Sequence, residues 1–201
     1  MDVYFVRHGE TPYNKDGKFV GSSDSPLNDY GKEIAAITGK ALKEVDFDIA
    51  FCSPLTRTKQ TAAPIVEGRN IPFILEDRLR EVDFGICEGA YIAPAKENKD
   101  DPMHEYFAAP QNYIPPEGAE SFESLYKRVD EFVKTVLLPL EGKCDKVLVV
   151  THGAVIRSII NTYCGYELKD FWKVFVKNCA VTIMNIKDGK IKITQLSEVY
   201  Y

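Results

Sequence analysis

The sequence predicts an α/β protein: a three-layer α/β/α sandwich around a mostly parallel sheet with one antiparallel edge strand. Three observations carry that prediction. Short β-branched and aromatic runs, among them residues 3–6, 48–53 and 146–151, are each followed by apolar residues at helical spacing. Such alternation sets parallel strands between layers of helices. Two later runs, 180–186 and 190–196, are joined instead by the turn Lys187-Asp188-Gly189, a hairpin signal that supplies the antiparallel edge. Finally, the 201 residues show no repeat and no dividing linker, which suits a single domain over 1–201.

The elements follow in order. The first strand, 3–6, runs straight into Arg7-His8-Gly9-Glu10-Thr11. Gly9 removes a side chain where a ligand or another backbone comes close. Residues 12–25 have the polar, Gly- and Ser-rich composition of a loop. Asn28 caps the next helix, whose Ile34, Ile37, Ala41, Leu42 and Val45 share one face. The second strand, 48–53, ends in Pro54-Leu55-Thr56-Arg57, with Pro54 suited to a helix's first turn. That helix runs to about Glu67 with a kink expected at Pro64, and Gly68 and Asn70 close it. Pro72 makes the third strand, 71–75, an edge strand.

Residues 79–89 form a loop carrying Glu81, Asp83 and Glu88. The pattern then breaks. Residues 90–119 are rich in proline, charge and aromatics, and read as a partly helical insertion that covers something and sets specificity. Ser121 caps the clearest helix, with Phe122, Leu125, Val129, Phe132, Val133, Val136, Leu137 and Leu140 in one stripe and Gly142 at its end. The fourth strand, 146–151, runs into His152-Gly153, followed by a helix over 154–163 and a short helical piece around 168–174.

Composition narrows the partners. A net charge of −5 argues against nucleic acid held by bulk electrostatics. No apolar run reaches membrane-spanning length, and the N-terminal run is too short for a signal peptide. Five scattered cysteines without a C-x-x-C pair point to reduced thiols in a cytoplasm. Oligomeric state stays open, a homodimer included.

Three predicted strands end near chemistry-bearing residues: Arg7 and His8, Arg57, and His152. In a parallel sheet these ends gather along the edge where ligands bind. Only three histidines exist, and two of them occur as strand-His-Gly; the third, His104, falls in the insertion and reads as a solvent or lid residue. Two guanidiniums and two imidazoles make an anion pocket suited to a tetrahedral oxyanion. A helix opening at Gly153 would add N–H groups and the positive end of its dipole. Phosphate is the natural guest, and a neutral imidazole is a competent nucleophile toward phosphorus. A leaving alkoxide needs an acid, for which Glu81 is best placed, with Glu10, Asp83 and Glu88 as competitors.

These residues together resemble the histidine phosphatase superfamily, whose fold is called phosphoglycerate mutase-like. The resemblance rests on Arg7-His8-Gly9-Glu10-Thr11, Asn14, Phe19-Val20-Gly21, Ser53-Pro54-Leu55-Thr56-Arg57, Leu79-Arg80-Glu81 through Gly89, and Val150-Thr151-His152-Gly153. It implies His8 as the phosphorylated nucleophile, Arg7, Arg57 and His152 as the phosphate pocket, and Glu81 as general acid and later base. It further implies Asn14, Gly21 and Ser22 facing phosphate or substrate. No metal or other cofactor is implied. The expected activity is hydrolysis of a small phosphorylated metabolite: a sugar phosphate, a phosphoglycerate-like compound or one like α-ribazole phosphate. Residues 115–121 resemble the lid-to-helix junction of small bacterial phosphatases, including those acting on α-ribazole phosphate or sugar phosphates.

Other chemistries fit less well. Cys52 precedes Arg57 by one residue too few for a Cys-x5-Arg phosphate loop, and Asp46-Phe47-Asp48 precedes its strand rather than following one. Two histidines without a third clustered ligand make a poor metal site. No Walker or dinucleotide glycine motif is present. A phosphoglycerate mutase-type transferase is the nearest alternative, although the chain shows no run of basic residues to hold a carboxylate. A module that binds a phosphorylated ligand without turnover is the second.

Overall fold

A computed structural model describes every residue from Met1 to Tyr201. Six strands form one sheet: β1 (Asp2–Arg7), β2 (Ile49–Cys52), β3 (Phe73–Leu75), β4 (Lys146–Thr151), β5 (Val181–Lys187) and β6 (Lys190–Glu198). Their order is β3-β2-β4-β1-β5-β6. The first four in that order run parallel, and antiparallel pairing is confined to one edge, where β5 runs against both β1 and β6. Asp188 and Gly189 between β5 and β6 both take positive φ, 53° and 67°. That is the left-handed pair a two-residue hairpin needs.

Seven helices flank the sheet: α1 (Pro12–Lys15), α2 (Asp29–Ala41), α3 (Thr56–Val66), α4 (Ile92–Glu97), α5 (His104–Ala108), α6 (Phe122–Phe132) and α7 (Gly153–Cys164). Because strand side chains alternate between faces, β4 feeds two cores. Val147 and Val149 join Val3, Phe5 and Phe51 on the face covered by α6 and α7. Leu148 and Val150 join Val6, Ala50 and Cys52 against Leu42, Ala62 and Ile65 on the other. A strand buried on both faces reads as an unbroken apolar run, as β4 does.

Three local expectations change. The polar stretch after β1 contains α1, a single turn closed by reciprocal capping, in which Thr11 Oγ1 accepts from the Asn14 N–H and Asn14 Oδ1 from the Thr11 N–H, each at 3.2 Å. The long apolar stripe is not one α-helix: α6 passes into a π-turn over Val133–Leu137 and a 3-10 turn over Leu138–Leu140, where Pro139 lacks the N–H an α-helix would use. The piece around 168–174 is helical only over Leu168–Asp170.

The insertion is partly helical and firmly anchored. Its start is stitched to the loop after α1, where the Phe19 N–H donates to Ala90 O at 2.9 Å, and the residue just beyond its end, Glu120, donates its N–H to Asp83 O at 2.8 Å. Tyr106 is buried, stacked on Phe122 at 5.1 Å, and its carbonyl accepts from Trp172 Nε1 at 2.6 Å. Ile92, Lys96, Tyr106 and Phe107 of the insertion line a cleft together with Arg7 at the end of β1 and Gly153 just after β4.

Candidate active site

The backbone holds His8 in place first. Its N–H extends the ladder to Thr151 O at 2.9 Å, and the Cys179 N–H donates to Arg7 O at 3.0 Å. Asn178 Nδ2 donates to His8 O at 3.0 Å. Parallel register pairs Arg7 with Thr151, so His8 and His152 follow side by side, with ring centroids 5.1 Å apart. Gly9 serves the helix layer, since a Cβ there would lie 2.6 Å from Gly31 O of α2.

Both imidazoles are buried. His8 Nδ1 lies 2.7 Å from Gly9 O. A carbonyl can only accept, so Nδ1 carries the hydrogen and Nε2 keeps the lone pair. Burial first, then the Arg57 and Arg7 charges, push the His8 pKa well below 6.5. Burial, Arg57 and His8 do the same to His152. Both rings are neutral at physiological pH.

This has a consequence for stability. In the unfolded chain each histidine titrates near pH 6.5, so below that pH the unfolded state binds more protons than the folded one. Stability must therefore fall as pH drops from about 7 toward 5, by up to about 1.4 kcal/mol per pH unit for each ring. Thermal unfolding across that range checks it, and His152→Asn should roughly halve the slope. An unchanged slope in the variant would assign the acid lability elsewhere.

The cations surround these rings. Arg57, in the first turn of α3, is fully buried and donates from Nη1 to Ser23 O at 2.8 Å and from Nη2 to Gly21 O at 2.6 Å. Arg7 donates from Nη1 to Val176 O at 2.7 Å. His152 Nε2 lies 2.8 Å from Ser53 Oγ. Each of these three side chains also buries one nitrogen with no partner: Arg7 Nε, Arg57 Nε and His152 Nδ1. Buried polar groups are nearly always paired, so the two orphaned guanidinium N–H groups suit an anion, and His152 Nδ1 joins them as a donor in the tautomer whose Nε2 accepts from the Ser53 hydroxyl. Burial lowers the Arg57 pKa to about 10, which leaves it charged at neutral pH.

Among the four carboxylates, geometry separates Glu81 from the rest. Glu10 accepts from Asn28 Nδ2 at 2.7 Å, and Asp83 accepts from the Gly85 N–H at 2.8 Å. Glu88 accepts from the N–H groups of Gly21, Ser22 and Phe84, and so fixes the loop whose Gly21 carbonyl holds Arg57. Glu81 is the one that lines the cleft. It accepts from the Ala154 N–H at 3.2 Å, and its loop is tied down by Thr151 Oγ1 on Leu79 O and Arg128 Nη1 on Arg78 O. The N-terminus of α7 was expected to offer its N–H groups to phosphate. Its Ala154 N–H goes to Glu81 instead, because the carboxylate satisfies the helix end at close range.

Arg7, Asn14, Glu81 and Gly153 line the cleft, whereas the buried His8, Arg57 and His152 and the exposed Ser22 lie outside its lining. Gly21 is buried, and a Cβ there would lie 1.9 Å from Val82 O. Its role is to bring the loop's carbonyl onto Arg57.

Several cleft residues have no precedent in the sequence reading. Arg157 of α7, Lys18 and Lys96 enter the cleft with Phe107 and Trp172. The missing basic run is thereby supplied by three separate segments, which no local pattern could display. Arg157 alone left a trace, as a single charge inside the apolar stretch 154–160.

Comparison with known proteins agrees with this geometry. The family model for the histidine phosphatase superfamily (branch 1) matches residues 3–199. Phosphoserine phosphatase 1 of Hydrogenobacter thermophilus is 29% identical over 98% of this chain and 92% of its own. The probable phosphoglycerate mutase GpmB of Salmonella arizonae is 28% identical over 94% of this chain and 87% of its own. The solved structure of the alpha-ribazole phosphatase from Shigella flexneri aligns with a TM-score of 0.86 at 26% identity, over 98% of this chain and 96% of that one. The family match runs from β1 to the end of the sheet and takes in both strand-His-Gly units, so this chain belongs to the histidine phosphatase superfamily, branch 1.

Proposed function

We propose that the chain is a phosphomonoester hydrolase working through phosphohistidine on a small phosphorylated metabolite. The observation that carries this reading is the set of three unpartnered nitrogens clustered around a neutral His8. His8 Nε2 attacks phosphorus while the ester P–O bond breaks, and Glu81, as the acid, gives its proton to the departing oxygen. The Nδ1–H bond to Gly9 O stabilises the positive charge that the ring gains on phosphorylation. Water then attacks phosphorus, losing a proton to Glu81, and the P–N bond breaks to release phosphate. Arg7 and Arg57 neutralise the equatorial oxygens throughout, and the neutral His152 adds a hydrogen bond. The scheme calls for no metal or other cofactor, because the guanidiniums supply the positive charge.

A cytoplasmic setting with no membrane or nucleic-acid partner is part of the same proposal; the five cysteines are unpaired, and no helix is long and apolar enough to cross a membrane. The homodimer stays an open assembly. The mutase-named relative favours a second reading, in which phosphohistidine returns its phosphoryl group to the substrate. Two assays on the full-length protein separate the readings: release of phosphate from an aryl phosphate, and exchange between 2- and 3-phosphoglycerate. Hydrolysis without exchange is expected. Exchange outrunning hydrolysis would make it a mutase, and neither activity would make it a binding module.

A further inference from the structure

In the hydrolytic scheme His8 attacks through Nε2, which requires its ring hydrogen on Nδ1. The carbonyl that holds this hydrogen is Gly9 O. Glycine leaves the peptide that follows it free to turn, so a carbonyl placed there needs fastening. Gly9 O receives two hydrogen bonds: one from His8 Nδ1 at 2.7 Å, the other from Asn178 Nδ2 at 3.2 Å. Asn178 lies outside both strand-His-Gly units, in the turn just before β5.

The amide nitrogen of Asn178 faces three oxygens: His8 O at 3.0 Å, Gly9 O at 3.2 Å and Asn14 Oδ1 at 3.4 Å. Three acceptors around one end of an amide fix which end is nitrogen. Asn14 is oriented in turn. Its Oδ1 accepts from the Thr11 N–H at 3.2 Å and faces Asn178, so its Nδ2 points away from both. Asn14 lines the cleft, and Nδ2 is the end left to donate to a ligand there.

Asn178 is itself held on both sides. Tyr201 Oη donates to its carbonyl at 2.8 Å, and Arg7 Nη1 donates to Val176 O, two residues earlier, at 2.7 Å. The next residue, Cys179, takes a φ of 50°, a left-handed conformation that a side chain makes costly. There its N–H meets Arg7 O at 3.0 Å and His8 O at 3.3 Å. Residues 176–179 thus close on Arg7, His8 and Gly9 from the β5 side.

We propose that Asn178 is a positioning residue for phosphoryl transfer: its amide holds Gly9 O against His8 Nδ1, which keeps the lone pair on Nε2, and turns the Asn14 amide nitrogen toward the phosphoryl group. This assignment rests on the phosphohistidine reading of the site. Asn178 acts through its two neighbours and makes no bond to substrate. One side chain from the far end of the chain thereby sets both the attacking atom and a donor to the group it attacks.

The test uses full-length Asn178→Ala and Asn178→Asp. Aspartate keeps the shape, but its carboxylate only accepts, so it repels His8 O and Gly9 O and draws the Asn14 N–H groups to itself. With an aryl phosphate, kcat/KM should fall by about 10-fold in Asn178→Ala and about 100-fold in Asn178→Asp, on the scale of a lost hydrogen bond and a misplaced charge. The readout that separates positioning from plain support is the His8 tautomer, seen in the nitrogen NMR shifts of histidine-labelled protein. The chain has three histidines, and His8→Ala assigns the signals. The wild type should carry hydrogen on Nδ1 alone, and both variants should show a resolved population with hydrogen on Nε2. If Asn178→Asp does not fold, Asn178→Ala and the wild-type tautomer still decide. Hydrogen on Nε2 in the wild type overturns the proposal. So does undiminished kcat/KM in a folded variant, or a loss of activity with the tautomer unchanged, which would make Asn178 a support and nothing more. A wild type that hydrolyses no aryl phosphate fails the phosphohistidine reading, whereas an active wild type whose tautomer ignores residue 178 fails this inference alone.

Discussion

His8→Ala is expected to lower kcat by at least about 10⁴-fold for every phosphomonoester the protein accepts, because it removes the attacking lone pair itself. The size of the loss follows from the site's construction. The ring is neutral and its Nδ1–H is committed to Gly9 O, which leaves Nε2 as the nitrogen that attacks in the proposed scheme. Water cannot take over that position, since it lacks the fixed orientation that makes the first step effectively intramolecular. A covalent intermediate must also be detectable in the wild type. Quenching in alkali, where a P–N bond survives, should leave one phosphoryl group on the peptide containing His8, and acid should remove it. A variant retaining more than about a hundredth of wild-type kcat would remove His8 from the nucleophile's role.

Glu81→Gln tests the other half of the cycle. The amide oxygen can still accept from the Ala154 and Val82 N–H groups that the carboxylate now binds, so the loop should keep its place. Proton transfer is lost in both steps. For alkyl esters kcat/KM should fall by about 10²- to 10⁴-fold, the usual contribution of a positioned acid. An aryl ester leaves as a stable phenolate and should lose far less in the first step. With it, the variant should release a burst of phenol equal to one enzyme equivalent and then stall, since water is no longer deprotonated. Equal losses for alkyl and aryl esters, with no burst, would assign the proton to another group.

The parts of this site that are legible in the sequence are those whose position follows from strand geometry. A run such as Lys146-Val147-Leu148-Val149-Val150-Thr151 has to be a strand buried on both faces, and the residues after its end then fall at the ligand edge. That reasoning reaches Arg7, His8, His152 and Gly153. Glu81 is reached by chemistry, through the need for an acid, and its competitors are eliminated only when their hydrogen bonds are seen. What stays hidden are side chains whose direction depends on tertiary approach. Arg157 sits in a helix whose neighbours Val155, Ile156, Ser158 and Ile159 are all buried, so its pattern is that of a core helix. Asn178 lies far along the chain and meets His8 only because β5 returns beside β1. The helix α1 is too short for periodicity to register, and the apolar stripe ending at Leu140 keeps its spacing while the backbone changes winding beneath it.

The place of β1 in the sheet has a consequence for how the protein is made. This strand is synthesised first, yet its two neighbours are β4 and β5, both from the last third of the chain. Pairings so distant in sequence close late, after the loop entropy of nearly the whole polypeptide has been overcome. During translation the segment bearing His8 emerges early and must wait as an unpaired apolar strand, a period in which it is open to misassociation. Local helices such as α6 can form well before then. In refolding, recovery of catalysis should therefore trail recovery of helical signal, making phosphate release a readout of the final closure of the sheet.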